Sequence, residues 1–203
     1  MTLATIILAA GGSTRLGQPK QLLTLNGQTL VRRITDVALS LAVGPVVVVL
    51  GAHHERVSAE VETLPVQIVI NADWAAGMAS SLRTGLLALP DESVDAFLIL
   101  LTDQPYVTGD LLRQLIQTRQ QTGRGIVACR YASSADSRGA PIGVPALFDV
   151  RYRDEFLRLT GDVGARRLIQ QHAADCAEVP FAGAVVDLDT QQDVANWRAN
   201  SAT

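Results

Sequence analysis

Short apolar runs alternate along this sequence with stretches whose apolar positions recur at helical spacing. Residues 3–10 form the first run, too short for a helix and closed by Gly11-Gly12, which predicts a buried strand. A polar loop spans 11–20, and 29–41 then sets Leu30, Ile34, Val37, Ala38 and Leu41 on one helical face. Residues 46–50, Val-Val-Val-Val-Leu after Pro45, are a run of the kind buried on both faces in parallel sheets. A helix over 53–64, a strand over 66–70 and a helix over 80–89 stopped by Pro90 follow. The clearest central strand is 96–101, Ala-Phe-Leu-Ile-Leu-Leu. A helix over 109–121 and a strand over 125–130 complete this part.

After Arg130 the rhythm changes. Residues 133–137 are small and polar and predict a turn or loop, and 139–145 are rich in Gly and Pro. Helices are predicted over 146–159 and 162–173, one or two strands over 179–187, and a closing helix over 190–200. Strands alternating with helices require crossover connections. The expected fold is therefore a single α/β domain, 1–203, with a mainly parallel (mixed) sheet covered by helices on both faces.

A length of 203 residues supports one full core, and no apolar run reaches the roughly 18 residues needed to cross a bilayer. The chain enters its first strand without a basic leader, so a cytoplasmic location and no membrane partner are expected. The net charge is −3 and the 17 Lys and Arg are scattered, which argues against nucleic acid and for a small-molecule partner. Cys129 and Cys176 belong to no Cys/His cluster and predict idle thiols rather than a zinc site or a disulfide.

The first candidate for chemistry is the loop that leaves the first strand, Leu8-Ala9-Ala10-Gly11-Gly12-Ser13-Thr14-Arg15-Leu16-Gly17-Gln18-Pro19-Lys20. A loop rich in glycine and hydroxyls can turn successive backbone N–H groups toward one point and cradle phosphate oxygens, with Arg15 and Lys20 adding positive charge. A tight turn bearing a surface Arg and Lys is the other reading. Gly12-x4-Gly17 begins like a Walker A motif, but Gln18-Pro19-Lys20 follows where Lys-Ser/Thr should stand; GxGxxG is absent too.

The run LAAGGSTRLGQPK closely resembles the LAAGxSxRxGxxK signature of the nucleotidyltransferases that include molybdenum cofactor cytidylyl- and guanylyltransferases. The resemblance implies a Rossmann-like nucleotidyltransferase fold. About 1–130 would be its nucleotide-binding half, and about 131–203 an acceptor-binding elaboration with a closing helix. It implies that Leu8, Ala9, Ala10, Gly11, Gly12 and Ser13 wrap the NTP, that Arg15 serves the triphosphate, and that Lys20 serves the α-phosphate and the transition state.

Asp103 directly follows the central strand, in Leu101-Thr102-Asp103-Gln104-Pro105. Ligands of open α/β sheets bind beyond the carboxyl ends of strands, and Mg²⁺ takes one or two carboxylates plus phosphate oxygens and water. Asp103 reads either as a Mg²⁺ ligand or as a cap ahead of the next helix; resemblance to the family's DQP motif implies the ligand. Asp187-Leu188-Asp189-Thr190-Gln191-Gln192-Asp193 resembles the family's DIDTPED element, with Gln191 and Gln192 in place of Pro and Glu. Residues i and i+2 of an extended stretch face the same way, so Asp189 first and Asp187 second are candidates for the second metal ligand. Asp189 also reads as an N-cap of the last helix, alongside Thr190.

The segment 71–82 resembles the family's N-x5-GMxxSL element, which implies base and ribose contacts from Asn71, Gly77, Ser80 and Ser81. On chemistry alone, Ser80-Ser81 reads equally well as a helix cap. Neither serine lies in a GxSxG elbow, which argues against a hydrolase nucleophile. Cytidylyl-type members tend to carry LAAG and guanylyl-type members LAGG; a methyl at Ala10 narrows the base pocket, so CTP is the expected donor.

Stretches 138–145 and 159–165 resemble the family's GHP and L-x-GDxGA elements, where the acceptor is expected, with Ala140 standing where many relatives carry His. His53, His54 and His172 have no carboxylate or Cys at ligand spacing and read as surface or structural residues. The reaction implied is transfer of CMP from CTP to the terminal phosphate of a molybdopterin-type cofactor, with Mg²⁺ as cofactor and transient contact with molybdoenzyme maturation proteins. A guanylyltransferase, a sugar- or polyol-phosphate nucleotidyltransferase, and a non-catalytic nucleotide-binding module remain as alternatives.

Overall fold

The computed structural model describes residues 2–90, 94–131, 139–185, 188 and 190–201. Along the chain come β1 (Leu3–Ala9), the short pair β2 (Thr24–Leu25) and β3 (Gln28–Thr29), α1 (Leu30–Leu39), β4 (Val46–Leu50), α2 (His54–Ser58) and β5 (Gln67–Ile70). Then follow α3 (Met78–Leu87), β6 (Ala96–Leu101), α4 (Gly109–Thr122), β7 (Ile126–Arg130), β8 (Ile142–Asp149), α5 (Arg153–Leu157), α6 (Ala165–Gln171), β9 (Cys176–Pro180) and α7 (Gln191–Ser201). Seven strands form one sheet in the order β5-β4-β1-β6-β8-β7-β9. β5, β4, β1 and β6 are mutually parallel, β8 runs antiparallel to both its neighbours, and β9 is parallel to β7. The sheet crosses the division expected near residue 130.

Alternation along β1 divides the core. Leu3, Ile7 and Ala9 face one layer with Val31 and Ile34 of α1 and Leu112 of α4, while Ala4, Ile6 and Leu8 face the other with Leu82 of α3 and Leu168 of α6. A third cluster joins Leu16 of the glycine loop, Leu23 and Leu30 to Leu188, Val194 and Trp197, so the last helix packs beneath that loop. Among the described residues no helix is long and apolar enough to cross a membrane.

The expected helix over 146–159 is corrected: its first part belongs to β8, and only Arg153–Leu157 is α-helical. Ala146, Leu147 and Phe148 are a continuous apolar run, which fits a strand covered on both faces. Pro145 disguises it. The β7–β8 register passes from Ala128↔Ala146 to Cys129↔Gly143, and Pro145, which has no N–H for a ladder, sits in the resulting bulge. Phe97, Phe148 and Phe156 then meet at centroid distances of 4.8–5.7 Å and lock β6, β8 and α5 together.

Other boundaries also moved. The helix expected over 53–64 is only His54–Ser58, that over 162–173 is Ala165–Gln171, and the late strand is Cys176–Pro180. Thr190 caps α7, accepting from the Asp193 amide at 3.2 Å while the Asp193 carboxylate accepts from the Thr190 amide at 2.8 Å. Cys129 and Cys176 are unpaired, and burial pushes their thiols up to about 12 and about 11.

Candidate active site

The carboxyl ends of β1 and β6 open into a cavity of about 480 Å³, walled by the glycine loop, the start of α3 and the loop after β6. The loop is braced from three sides. Ala52 N–H donates to Ala10 O at 3.1 Å, Gln21 Nε2 donates to Ala9 O at 2.9 Å and Gly11 O at 2.8 Å, and His53 Nε2 lies 3.1 Å from Gly12 O. A carbonyl only accepts, so His53 carries its proton on Nε2. In a trans peptide the N–H points opposite the carbonyl it shares a plane with. Tying the carbonyls of residues 10, 11 and 12 therefore aims the amides of Gly11, Gly12 and Ser13 away from those braces. None of these three amides has an acceptor among the described residues. Consecutive undonated amides on a glycine-rich turn form an anion cradle.

Ser13 closes the far side of the loop. It adopts φ 49°, its carbonyl accepts from Leu16 and Gly17, and its hydroxyl accepts from the Lys20 amide at 3.0 Å. No helix starts there: Lys20–Leu22 is one 3-10 turn, and the β2–β3 hairpin intervenes before α1. That turn delivers Lys20 Nζ to 2.5 Å from Asp103 Oδ2, with both side chains about one-fifth exposed. Such half-desolvated pairs gain little net stability, because dehydration offsets the attraction. The other oxygen, Oδ1, is buried and has no hydrogen-bond partner among the described residues. Asp103 is not a helix cap; Thr108 caps α4. Arg33 holds its loop by donating to Pro105 O at 2.8 Å.

At the opposite end Trp74 covers the glycines. A Cβ on Gly12 would lie 3.0 Å from its ring, and one on Gly51 2.8 Å from both the Ala10 and Trp74 Cβ atoms. Asn71 is buried and donates to Ser80 Oγ at 2.8 Å and Ser81 Oγ at 2.9 Å, while Ser80 lies within reach of the Asp73 and Gly77 carbonyls. Gly77, not a serine, is the N-cap of α3.

Of the residues singled out from sequence, Leu8, Ala10, Gly11, Gly12, Lys20, Gly77, Ser81 and Asp103 line the cavity. Ala9, Ser13, Asn71 and Ser80 stand behind its wall as supports, and Arg15 is an exposed residue of the loop's outer turn. Asp187 and Asp189 lie outside the described residues. Among the wall residues to which sequence reasoning gave no role are Gln21 and Trp74, while Asp162 comes from the stretch 159–165 expected at the acceptor.

Residues 5–176 match the MobA-like NTP transferase domain. The chain belongs to this family. It is 34% identical over 168 residues, 82% of its length and 80% of the relative's, to nicotine blue oxidoreductase of Paenarthrobacter nicotinovorans. Rv0371c of Mycobacterium tuberculosis superposes with a TM-score of 0.80 at 28% identity, covering 97% of this chain and 96% of that one. A second structure of that protein, with a TM-score of 0.78, is its complex with manganese.

This MobA-like NTP transferase domain has a second cavity of about 270 Å³ that shares Leu8, Met78 and Leu101 with the first. Ile142, Gly143 and Val144 and, opposite, Gly164 and Ala165 border it, so the two stretches assigned to the acceptor meet here. Tyr131 lines it too, its hydroxyl donating to Val144 O; burial pushes that phenol up to about 12 and keeps it protonated. Gln104 ties this wall to its neighbour Asp103, donating to Val144 O at 2.7 Å. His172 pairs with Glu155 at 2.8 Å, away from both cavities.

Proposed function

We propose that the protein transfers CMP from CTP onto the terminal phosphate of a molybdopterin-type acceptor and releases pyrophosphate. One observation carries this reading: the Lys20–Asp103 pair stands at the mouth of a loop whose Gly11, Gly12 and Ser13 amides have no acceptor among the described residues. The loop would hold the triphosphate, with Arg15 near its outer end. Lys20 would neutralise the α-phosphate as charge develops. The acceptor phosphate attacks the α-phosphorus; that P–O bond forms, the bond to the bridging oxygen breaks, and pyrophosphate departs. The nucleophile is already an anion, so orientation and charge neutralisation carry the catalysis.

Asp103 fits a divalent cation, because its unpartnered buried Oδ1 is a hard oxygen donor beside the cradle. Mg²⁺ is the proposed ion and Asp189 the proposed second ligand. When bound, the ion supplies Lewis-acid stabilisation of phosphate oxygens. CTP is the proposed donor because the Ala10 methyl narrows the space beside Gly51 and Trp74. Asn71, Gly77, Ser80 and Ser81 would form the base and ribose side.

Pyrophosphate release from CTP and GTP, with and without molybdopterin, tests the reading. CTP-specific, molybdopterin-dependent release supports it, and release from GTP alone overturns the donor. An oxidoreductase is the second reading, favoured by the identity to the Paenarthrobacter protein of that name. Reduction of nicotine blue by an added two-electron hydride donor, NADH or NADPH, in the absence of any NTP would favour it.

A further inference from the structure

Gln21 is fully buried, yet it lines the main cavity and sits one residue from Lys20. Its amide nitrogen has two hydrogens, and each finds a carbonyl, Ala9 O at 2.9 Å and Gly11 O at 2.8 Å. That double acceptance fixes which end of the amide is nitrogen, since the oxygen could not face two carbonyls. Oε1 is left buried with no partner among the described residues. A fully buried polar side chain that leaves half its capacity unused is a costly choice for mere packing.

The Gly11–Gly12 peptide is trans; the one cis bond among the described residues is Val144–Pro145. Holding Gly11 O on Gln21 therefore turns the Gly12 N–H to the opposite side, where it has no acceptor among the described residues. We infer that Gln21 is a positioning residue for polyphosphate: it fixes the peptide plane that presents the Gly12 amide to a phosphate oxygen. The same 3-10 turn carries Lys20, whose own amide is bound to Ser13 Oγ at 3.0 Å. Loop amide and lysine are thus set in register by adjacent residues. This inference rests on the glycine loop binding phosphate, and is independent of which nucleotide or acceptor is used.

The test is titration of the whole protein with inorganic tripolyphosphate, CTP and cytidine, for wild type, Gln21→Met and Gln21→Glu. Methionine keeps the volume and removes both donors. It is expected to weaken tripolyphosphate and CTP by about tenfold and leave cytidine unchanged, since one amide donor is misaligned. When ionised, glutamate sets a carboxylate against two carbonyls, whereas its protonated form, which burial favours, regains one donor. Tripolyphosphate affinity of Gln21→Glu should therefore recover relative to wild type as pH is lowered, which a packing role would not produce. Equal loss for cytidine and tripolyphosphate, a flat pH response of the ratio, or no tripolyphosphate binding by wild type overturns the inference. Gln21-dependent tripolyphosphate binding without CMP transfer would uphold it and overturn the transfer reading instead.

Discussion

Gly77 and Gly161 approach so closely that a Cβ on Gly77 would lie 2.4 Å from the carbonyl carbon of Gly161. The contact joins the start of α3 to the loop that carries Asp162, and the Ala79 amide donates to Gly161 O at 3.2 Å across it. Gly77 also holds φ 108°, ψ 175°, a region closed to residues with side chains. Gly77→Ala is therefore expected to lose about 2–5 kcal/mol of stability. A denaturant midpoint close to wild type would contradict this.

The Ala10 methyl faces Gly51 where the base is proposed to enter. Ala10→Gly should raise turnover with GTP relative to CTP by about tenfold, because removing one methyl relaxes a size filter of roughly that strength. The ratio of the two rates of pyrophosphate release is the readout. An unchanged ratio would assign donor choice elsewhere.

Asp175 joins β9 to the turn before β7 and to Tyr152. Burial alone would raise its carboxyl. Hydrogen bonds from Tyr152 at 2.5 Å, the Gly125 amide at 3.1 Å and the Arg151 guanidinium outweigh that and hold it below the ordinary value. A depressed folded-state value contributes stability above the unfolded one, about pH 4, and that contribution is lost as pH falls through the folded value. Asp175→Asn should lower stability at neutral pH and flatten its decline below about pH 4. Parallel pH–stability curves for the two proteins would count against this.

The continuous apolar runs made β1, β4 and β6 legible, since strands buried on both faces leave no polar interruption. β8 was not, because Gly143 and Pro145 imitate a loop and only the bulge opposite Ala128 and Cys129 explains them. The β2–β3 hairpin was readable but missed: Asn26 and Gly27 both take positive φ, 52° and 79°, as an Asn-Gly turn favours. In the site, glycine spacing pointed to the loop and strand order to Asp103. Resemblance brought Lys20 and Asp103, 83 positions apart, to one nucleotide, but their direct contact was not expected. Gln21 was invisible, because its burial depends on carbonyls of a loop whose path the sequence does not state.

The central claim is that the amide cradle, Lys20 and Asp103 act together on one polyphosphate. Its most direct measurement is divalent-dependent pyrophosphate release from CTP by wild type, Lys20→Ala and Asp103→Asn, with folding checked by thermal melting. Each variant should stay folded and release pyrophosphate about 10² to 10³-fold more slowly. A folded variant that works at nearly the wild-type rate would contradict the account.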